Sequence, residues 1–162
     1  MSLTSMVIGL EDAGVEFVLI GGFAGIVHGS PRLTNDVDVC YDRSPENLER
    51  LARVLAGWDA YPRDFPRDLP WEMDVRTLKA ATLLTLQTSE GFLDVMAEVP
   101  GVGGYAECEA ASEWVDFSGH PVRVLGLPAL IASKKAADRE KDRADVLTFE
   151  RILQQREASG SE

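Results

Sequence analysis

The sequence predicts a single mixed α/β domain of the α+β type, in which helices flank a short mixed sheet. Its 162 residues are the length of one domain, and 45% of them are apolar, which is enough for a core without disulfides or a structural metal. Short apolar runs typical of strands are separated by segments with the spacing of amphipathic helices. We predict a domain over residues 1–156 and a polar tail over residues 157–162.

The composition excludes several functional classes. A net charge of −11 repels phosphate backbones, so indiscriminate nucleic-acid binding is not expected. Cys40 and Cys108 have no partner at zinc-like spacing, which indicates two reduced thiols in a cytoplasmic protein. The apolar stretch over residues 15–26 is short and interrupted by glycines, so neither secretion nor membrane insertion is expected.

The N-terminal half contains predicted helices and strands. An apolar run over residues 16–20 ends on Gly21 and Gly22, as a buried strand entering a tight turn does. Ser44 and Pro45 mark the start of an amphipathic helix. We predict helices over residues 2–13, over residues 24–28 and from Ser44 onward, and strands over residues 16–20 and 36–42.

The second half opens with a segment over residues 58–76 in which three prolines interrupt regular structure, and we predict a long surface loop there. From Gln155 onward the chain is polar and is expected to fray. Between these segments we predict strands over residues 81–86, 92–99 and 120–125, a helix over residues 105–112, and two helices within residues 127–156.

Asp36 and Asp38 carry the strongest chemical signal. Residues two apart in a strand project from the same face, so both carboxylates point one way. Adjacent like charges favour a bound cation, and carboxylates of this kind hold Mg²⁺ together with substrate phosphates. Asp94 lies in another predicted buried strand, where an unpaired charge is costly, so we expect it at the same metal site. A solvated strand face is the commoner explanation of an isolated Asp-x-Asp pair.

The Gly21–Gly22 pair gives these carboxylates a context. A turn without side chains lets backbone N–H groups approach a phosphate, and the helix that follows adds the positive end of its dipole. An ordinary tight turn is the alternative interpretation. Convergence of the glycines and the acids would form one site for metal and nucleotide phosphates.

These residues together resemble the signature of the nucleotidyltransferase superfamily with the DNA polymerase beta type of palm. Ile20-Gly21-Gly22 is followed by thirteen residues and then by Asp36-Val37-Asp38-Val39, and Asp94 is the third acid. Gly22 stands where the family often has Ser, so a hydroxyl contact to phosphate is lost. The pattern over residues 21–38 looks like the AbiEii-type branch of bacterial toxin–antitoxin systems. A similar Gly-Gly and Arg-x-Thr arrangement occurs in lincosamide and aminoglycoside nucleotidyltransferases.

The resemblance continues toward the C-terminus, where Lys134 and residues 139–145 look like the Lys, Arg and Asp-x-x-Asp helical motif of that branch. It covers most of residues 16–150 and leaves residues 58–76 unmatched. In a continuous helix, a rotation of 100° per residue puts Lys134, Asp138 and Asp145 on nearly one face, whereas a break near Asp138 changes these angles. A salt-bridged helix surface is the alternative interpretation.

The resemblance implies a metal-dependent enzyme that moves an NMP from an NTP to an acceptor hydroxyl. It implies two Mg²⁺ ions, or Mn²⁺, held by Asp36, Asp38 and Asp94, with Lys134 as a further catalytic residue. The acceptor is an RNA end, a protein or a small molecule, and the charge of −11 favours the last two. An antitoxin or a second copy of the chain is a further implied partner. The implied nucleotide-binding residues are Gly21, Gly22, Arg32, Thr34, Lys134, Arg139, Asp142 and Asp145.

The alternative from another class is a non-catalytic module of the same fold that binds nucleotide or a partner protein. Three acids aimed at one point argue against it, because a chain released from catalysis has no physical reason to keep them. Arg32 and Thr34 either bind phosphate or cap the turn before the acids. We expect His28 and His120 to be structural, and Trp58, Trp71 and Trp114 to lie in the core or its rim rather than stack on a base.

Overall fold

The computed structural model describes residues 2–160, and within them the chain forms seven helices and nine strands. The helices are α1 (Leu3–Asp12), α2 (Gly21–Val27), α3 (Pro45–Gly57), α4 (Val75–Ala80), α5 (Tyr105–Ala110), α6 (Leu127–Ala137) and α7 (Glu140–Gly160). The strands are β1 (Phe17–Ile20), β2 (Asp36–Tyr41), β3 (Tyr61–Pro62), β4 (Leu83–Thr88), β5 (Gly91–Met96), β6 (Glu98–Val99), β7 (Gly103–Gly104), β8 (Ser112–Phe117) and β9 (His120–Leu125).

Seven of these strands form one mixed sheet in the order β3-β4-β5-β2-β1-β9-β8. At its centre β2 runs antiparallel to β1 and parallel to β5, and β1 runs parallel to β9. Hairpins add β4 and β8 toward the two edges. The predicted fold class, a mixed sheet flanked by helices, is confirmed.

The core lies between this sheet and the helices packed on it. All four residues of β1 are buried, as expected for a strand with neighbours on both sides and helices above and below. On β2, Val37 and Val39 are fully buried, whereas Asp36 and Asp38 are only partly buried. The period of two therefore separates a core-facing set of side chains from the acidic set, as the alternation predicted.

The structure corrects several predicted boundaries. Helix α2 begins at Gly21 rather than at residue 24, so the two glycines form its first turn instead of a separate loop. The predicted loop over residues 58–76 contains the edge strand β3 and the start of α4, whose N-cap Asp74 accepts a hydrogen bond from the backbone N–H of Thr77 at 2.9 Å. The prolines of this segment hide any period of two in its sequence, but a proline such as Pro62 is compatible with a short edge strand.

The region after β4 differs as well. The predicted strand over residues 92–99 ends at Met96, and the next residues form β6, which pairs with β7 in a separate small hairpin. Helix α5 ends at Ala110, and strand β8, which was not predicted, follows it and pairs with β9. Helix α7 continues to Gly160, so residues 155–160 are helical, and the last two residues of the predicted tail lie outside the described residues.

No described helix combines the length and the apolar character needed to cross a membrane.

Candidate active site

Three carboxylates meet on one face of the sheet. Asp36 and Asp38 lie on β2, and the parallel pairing of β2 with β5 places Asp94 directly opposite Asp38. One carboxylate oxygen from each residue lies within 4.8 Å of the others. The structure thus brings together the three acids that the sequence analysis selected. The strand pairing explains this convergence, because partners in register project from the same side.

The glycine pair at the end of β1 lies against these acids. Ile20 pairs with Asp38, and Gly21 follows with a φ of +70°, a conformation that favours glycine. A β-carbon on Gly21 would overlap the carboxylate of Asp38, and one on Gly22 would lie 3.3 Å from Oγ1 of Thr34. Among the described residues, no side chain caps the N-terminus of α2 with a hydrogen bond. Position 21 therefore has no room for a side chain while Asp38 is present.

Asp38 is the carboxyl group of the triad whose pKa is clearly raised. Burial, together with the neighbouring charge of Asp36, raises the pKa of Asp38 to about 7, although Lys134, Arg63 and Lys141 act in the opposite direction. A divalent cation at the triad would favour the charged form of Asp38. Three partly buried carboxylates are also the hard oxygen ligands that Mg²⁺ and Mn²⁺ prefer, so the residues fit such an ion.

The opposite wall of the site comes from the α6–α7 pair. Nζ of Lys134 lies 3.4 Å from Oδ1 of Asp142 and 3.3 Å from Oδ2 of Asp145. Asp142 is completely buried, and Nε of Arg139 donates to its Oδ2 at 2.6 Å. Burial alone would raise the pKa of Asp142, but hydrogen bonds from Arg139 and the charge of Lys134 outweigh it and hold the pKa at about 2. Asp142 therefore accepts hydrogen bonds from the cationic side chains of both Lys134 and Arg139 at this wall of the site.

The chain has two helices here, as predicted, and the break at Asp138 means that Lys134, Asp138 and Asp145 do not share one continuous helix face. Asp138 ends α6 with a φ of 51° in the left-handed region, and the chain reverses into α7. This turn brings Asp142 and Asp145 back over Lys134, so the contact joins two helices rather than turns of one helix. Asp138 itself accepts a hydrogen bond from Nε of Arg143 at 2.9 Å and does not line the site.

Arg32 and Thr34 reach the site from the loop before β2. Nη1 of Arg32 donates to Oδ1 of Asp145 at 2.8 Å, which links this loop to α7. Oγ1 of Thr34 donates to Oδ1 of Asp36 at 2.9 Å and so orients the first carboxylate. The loop thus contacts both walls of the site.

Together these residues enclose a cleft of about 460 Å³. One side is charged, and apolar side chains of β4, β5 and the β6–β7 hairpin line the other side next to Thr85, namely Leu83, Met96, Val99 and Pro100. The residues implied as catalytic or nucleotide-binding all line it, namely Gly21, Gly22, Arg32, Thr34, Asp36, Asp38, Asp94, Lys134, Arg139, Asp142 and Asp145.

Sequence reasoning missed other residues of the site. Lys141 lines the cleft from the start of α7, and Arg63 donates through Nη2 to Oδ1 of Asp94. Lys141 lies within the matched helical motif, so its position could have been noticed. Arg63 is 31 residues from Asp94 and lies in the segment over residues 58–76, to which the family resemblance does not extend. The strand order β3-β4-β5 brings the two residues together.

The two histidines have structural partners. His28 is buried, its Nε2 lies 2.8 Å from the carbonyl oxygen of Leu125, and Nη2 of Arg156 lies 3.0 Å from its Nδ1. Because Arg can only donate, His28 carries its proton on Nε2. A hydrogen bond to Glu11 raises the pKa of His120, which forms a surface ion cluster with Glu11 and Asp12. Both expectations for the histidines agree with these contacts.

The tryptophans do not line the cleft. Trp58 and Trp71 are partly buried and pack against the core, and Trp71 also contacts the rings of Tyr61 and Phe65. Trp114 is exposed on β8 beneath the guanidinium of Arg123.

Solved structures with the same architecture include two antibiotic-modifying enzymes. Lincosamide antibiotic adenylyltransferase LnuA, bound to lincomycin, is 16% identical, with a TM-score of 0.62 over 93% of this chain and 95% of that chain. The chain has the nucleotidyltransferase fold. ANT(2″)-Ia in complex with adenylyl-2″-tobramycin is 14% identical, with a TM-score of 0.56 over 98% of this chain and 97% of that chain.

A third similar structure is an antigenic nucleotidyltransferase-like protein from Paracoccidioides brasiliensis, at 15% identity and a TM-score of 0.53, over 91% of this chain and 72% of that chain. No protein-family model matches the chain, and no curated protein matches it significantly. At these identities the likeness establishes the fold, and the chemistry has to be argued from the site.

Proposed function

We propose that the protein is a metal-dependent nucleotidyltransferase that moves an NMP from an NTP to a hydroxyl group of an acceptor. The observation that carries this proposal is the meeting of Asp36, Asp38 and Asp94 in one cleft, opposite the cationic side chains of Lys134 and Arg139. Phosphoryl-group chemistry needs carboxylates for divalent ions and cations for the phosphate oxygens. A strand face that is merely exposed to solvent would not have such cations opposite its carboxylates.

Asp36, Asp38 and Asp94 would hold two Mg²⁺ ions, or Mn²⁺. When bound, such ions lower the pKa of an acceptor hydroxyl and stabilise the leaving pyrophosphate. Asp38 must be deprotonated to act as a ligand, and its pKa of about 7 makes its availability depend on pH. Thr34 orients Asp36 by the hydrogen bond already described, and Gly21 leaves room for the Asp38 carboxylate.

Lys134 would bind the phosphates of the nucleotide. Its two aspartate partners, Asp142 and Asp145, belong to α7 and restrain its side chain without filling the cleft. Arg139 and Arg32 would assist, since each is held by one of the same two carboxylates. Paired cations of this kind are oriented before the ligand arrives, which reduces the ordering cost of binding.

A small molecule is the acceptor class that the chain's features favour. The net charge of −11 disfavours RNA, and a cleft of about 460 Å³ is of the size that binds small ligands. The apolar wall of β4 and β5 would contact acceptor carbon atoms. The similar structures of LnuA with lincomycin and of ANT(2″)-Ia with adenylyl-2″-tobramycin point the same way. An RNA end or a protein side chain is the alternative acceptor.

A role as the toxin of a bacterial toxin–antitoxin pair is the second candidate. It is supported by the Gly-Gly, Arg-x-Thr and Asp-x-Asp pattern over residues 21–38, together with Lys134 and residues 139–145. Under this proposal an antitoxin or a second copy of the chain is the partner. The two free, buried cysteines are consistent with a cytoplasmic location for either role.

The test is transfer of label. The purified protein is incubated with Mg²⁺, each of four α-labelled NTPs, and either cellular RNA and protein or a panel of hydroxylated small molecules. Labelled product that disappears in an Asp36→Ala, Asp38→Ala double variant of unchanged melting temperature is the expected result. Label on a small molecule supports the first candidate, and label on RNA or protein supports the toxin role.

The same assay distinguishes a transferase from the non-catalytic binding module. Metal-dependent binding of NTP without release of pyrophosphate, with any acceptor, would identify a binding module and contradict the proposed transferase. Turnover that persists in the double variant would contradict the assignment of the metal ligands.

A further inference from the structure

Arg63 binds one carboxylate of the triad from outside the cleft. Its Nη2 donates to Oδ1 of Asp94, and its guanidinium carbon lies 5.1 Å from the centre of the Phe92 ring. Both side chains of the ion pair are shielded, with 28% of Arg63 and 17% of Asp94 exposed. A charge-assisted hydrogen bond in such a setting is strong and occupies one of the ligand oxygens of Asp94.

The backbone at Arg63 is fixed by the sheet. Its N–H donates to the carbonyl oxygen of Thr85 at 3.0 Å, which extends the pairing of β3 with β4 by one residue. The guanidinium therefore reaches Asp94 from a rigid position across β4. Within residues 2–160, however, its Nε is buried and has no hydrogen-bond partner. The present pose of Arg63 leaves one buried donor unsatisfied, which is costly and favours a second pose when Asp94 takes another partner.

We propose that Arg63 is a positioning residue that competes with the divalent cation for Asp94. It neutralises Asp94 in the metal-free protein and has to release this carboxylate before Asp94 can bind the ion. This inference rests on the proposed function, because it assumes that Asp94 is a metal ligand. Its consequence is that the segment over residues 58–76, which carries Arg63, is coupled to metal binding and weakens it in the absence of nucleotide.

The test measures Mn²⁺ affinity directly, by titration calorimetry and by the electron paramagnetic resonance signal of free Mn²⁺, without nucleotide or turnover. Arg63→Gln removes the competitor and should tighten Mn²⁺ binding about fivefold or more, the size expected for loss of one partly exposed ion pair. Arg67→Gln is the matched control, because Arg67 lies in the same segment and pairs instead with Asp59 at 3.3 Å. It should leave the affinity within about twofold of the unaltered protein.

A double variant separates direct competition from a general field effect. In an Asp94→Asn background, Arg63→Gln should no longer tighten Mn²⁺ binding, because the contested carboxylate is gone. An equal gain in that background, an equal gain from Arg67→Gln, or unchanged or weaker binding by Arg63→Gln would each overturn the proposal. A structural role alone predicts weaker binding and a lower melting temperature.

The failure of this inference is distinguishable from failure of the proposed function. Equal Mn²⁺ affinities in an active transferase would overturn only the role of Arg63. Tighter binding by Arg63→Gln in a protein that transfers no label would contradict the transferase and support the competition. Absence of Mn²⁺ binding from both proteins without nucleotide would overturn the role of Arg63, and the transfer of label would decide the proposed function separately.

Discussion

Gly21 and Asp38 are so close that the absence of a side chain at one position is a condition for the carboxylate at the other. Ile20 pairs with Asp38 across β1 and β2, and a β-carbon on the next residue, Gly21, would overlap the Asp38 carboxylate. The glycine therefore serves the acid directly, in addition to adopting a positive φ of +70°. A side chain at position 21 would therefore destabilise the protein in two ways, by the backbone strain of a positive φ and by steric overlap with Asp38.

Gly21→Ala should abolish metal binding and lower stability, because it adds overlap with Asp38 to the strain of a positive φ. Gly119→Ala is the matched control, since Gly119 has a φ of +90° and, its two chain neighbours aside, no atom of the described residues would lie within 4 Å of its added β-carbon. The control should lose about 1–2 kcal/mol of unfolding free energy from backbone strain alone, and Gly21→Ala should lose more. Urea unfolding and Mn²⁺ titration measure the two effects. Equal losses with metal binding retained would contradict the close approach.

The raised pKa of Asp38 predicts a pH-dependent stability. Between about pH 4 and pH 7 the folded protein keeps a proton on Asp38 that the unfolded chain has lost, so the free energy of unfolding falls as pH rises through this range. Asp38→Asn removes this penalty. In EDTA the variant should be more stable than the unaltered protein at pH 8, by on the order of 4 kcal/mol, with little difference at pH 4.

Thermal melts of the two proteins across this pH range measure the difference. Asp64→Asn, at an exposed position, controls for the change in net charge. A variant that is less stable than the unaltered protein at pH 8 would show that Asp38 is stabilised by its cationic neighbours rather than destabilised by burial.

Lys134→Ala should weaken NTP binding about tenfold or more, because it removes an oriented cation from the cleft. It should also destabilise the α6–α7 contact, since the buried Asp142 and Asp145 lose a shared partner. Lys135→Ala is the matched control, as this adjacent lysine is exposed and does not line the cleft. Equilibrium binding of labelled NTP to the two variants measures the change in affinity. Unchanged affinity in Lys134→Ala would make Lys134 part of a salt-bridged helix surface only.

Arg156, near the end of α7, is predicted to stabilise the fold through its contacts with His28. This residue donates to the ring and to the carbonyl oxygen of buried His28, at 3.0 and 3.4 Å. Deleting residues 155–162 should give a melting temperature about 2–4 °C below that of the protein without residues 157–162, the effect of losing roughly 1 kcal/mol in a protein of this size. Differential scanning calorimetry of both truncations measures this. Equal melting temperatures of the two truncated proteins would show that the contacts of Arg156 with His28 do not stabilise the fold.

Local features of the fold were predictable from the sequence. The apolar run before Gly21, the Asp-Val-Asp alternation of β2 and the Ser44-Pro45 start of α3 depend on neighbouring residues, and the structure has these elements close to their predicted bounds. Strand β8 and the β6–β7 hairpin were missed because their pairing supplies order that their own sequences do not indicate. Helix α4 was missed for a different reason, as its six residues are too few to show a period.

The residue types of the candidate site were also readable from the sequence, because paired acids, a glycine pair and a lysine before an Asp-x-x-Asp motif lie within short spans. Their spatial relations were decided by tertiary structure. The register of β2 with β5 sets Asp94 opposite Asp38, the left-handed turn at Asp138 folds α7 back onto Lys134, and the edge strand β3 brings Arg63 to Asp94. The order and register of the strands depend on pairing between segments that are far apart in the sequence, and the spacing of residues within one segment does not specify which segment it will pair with.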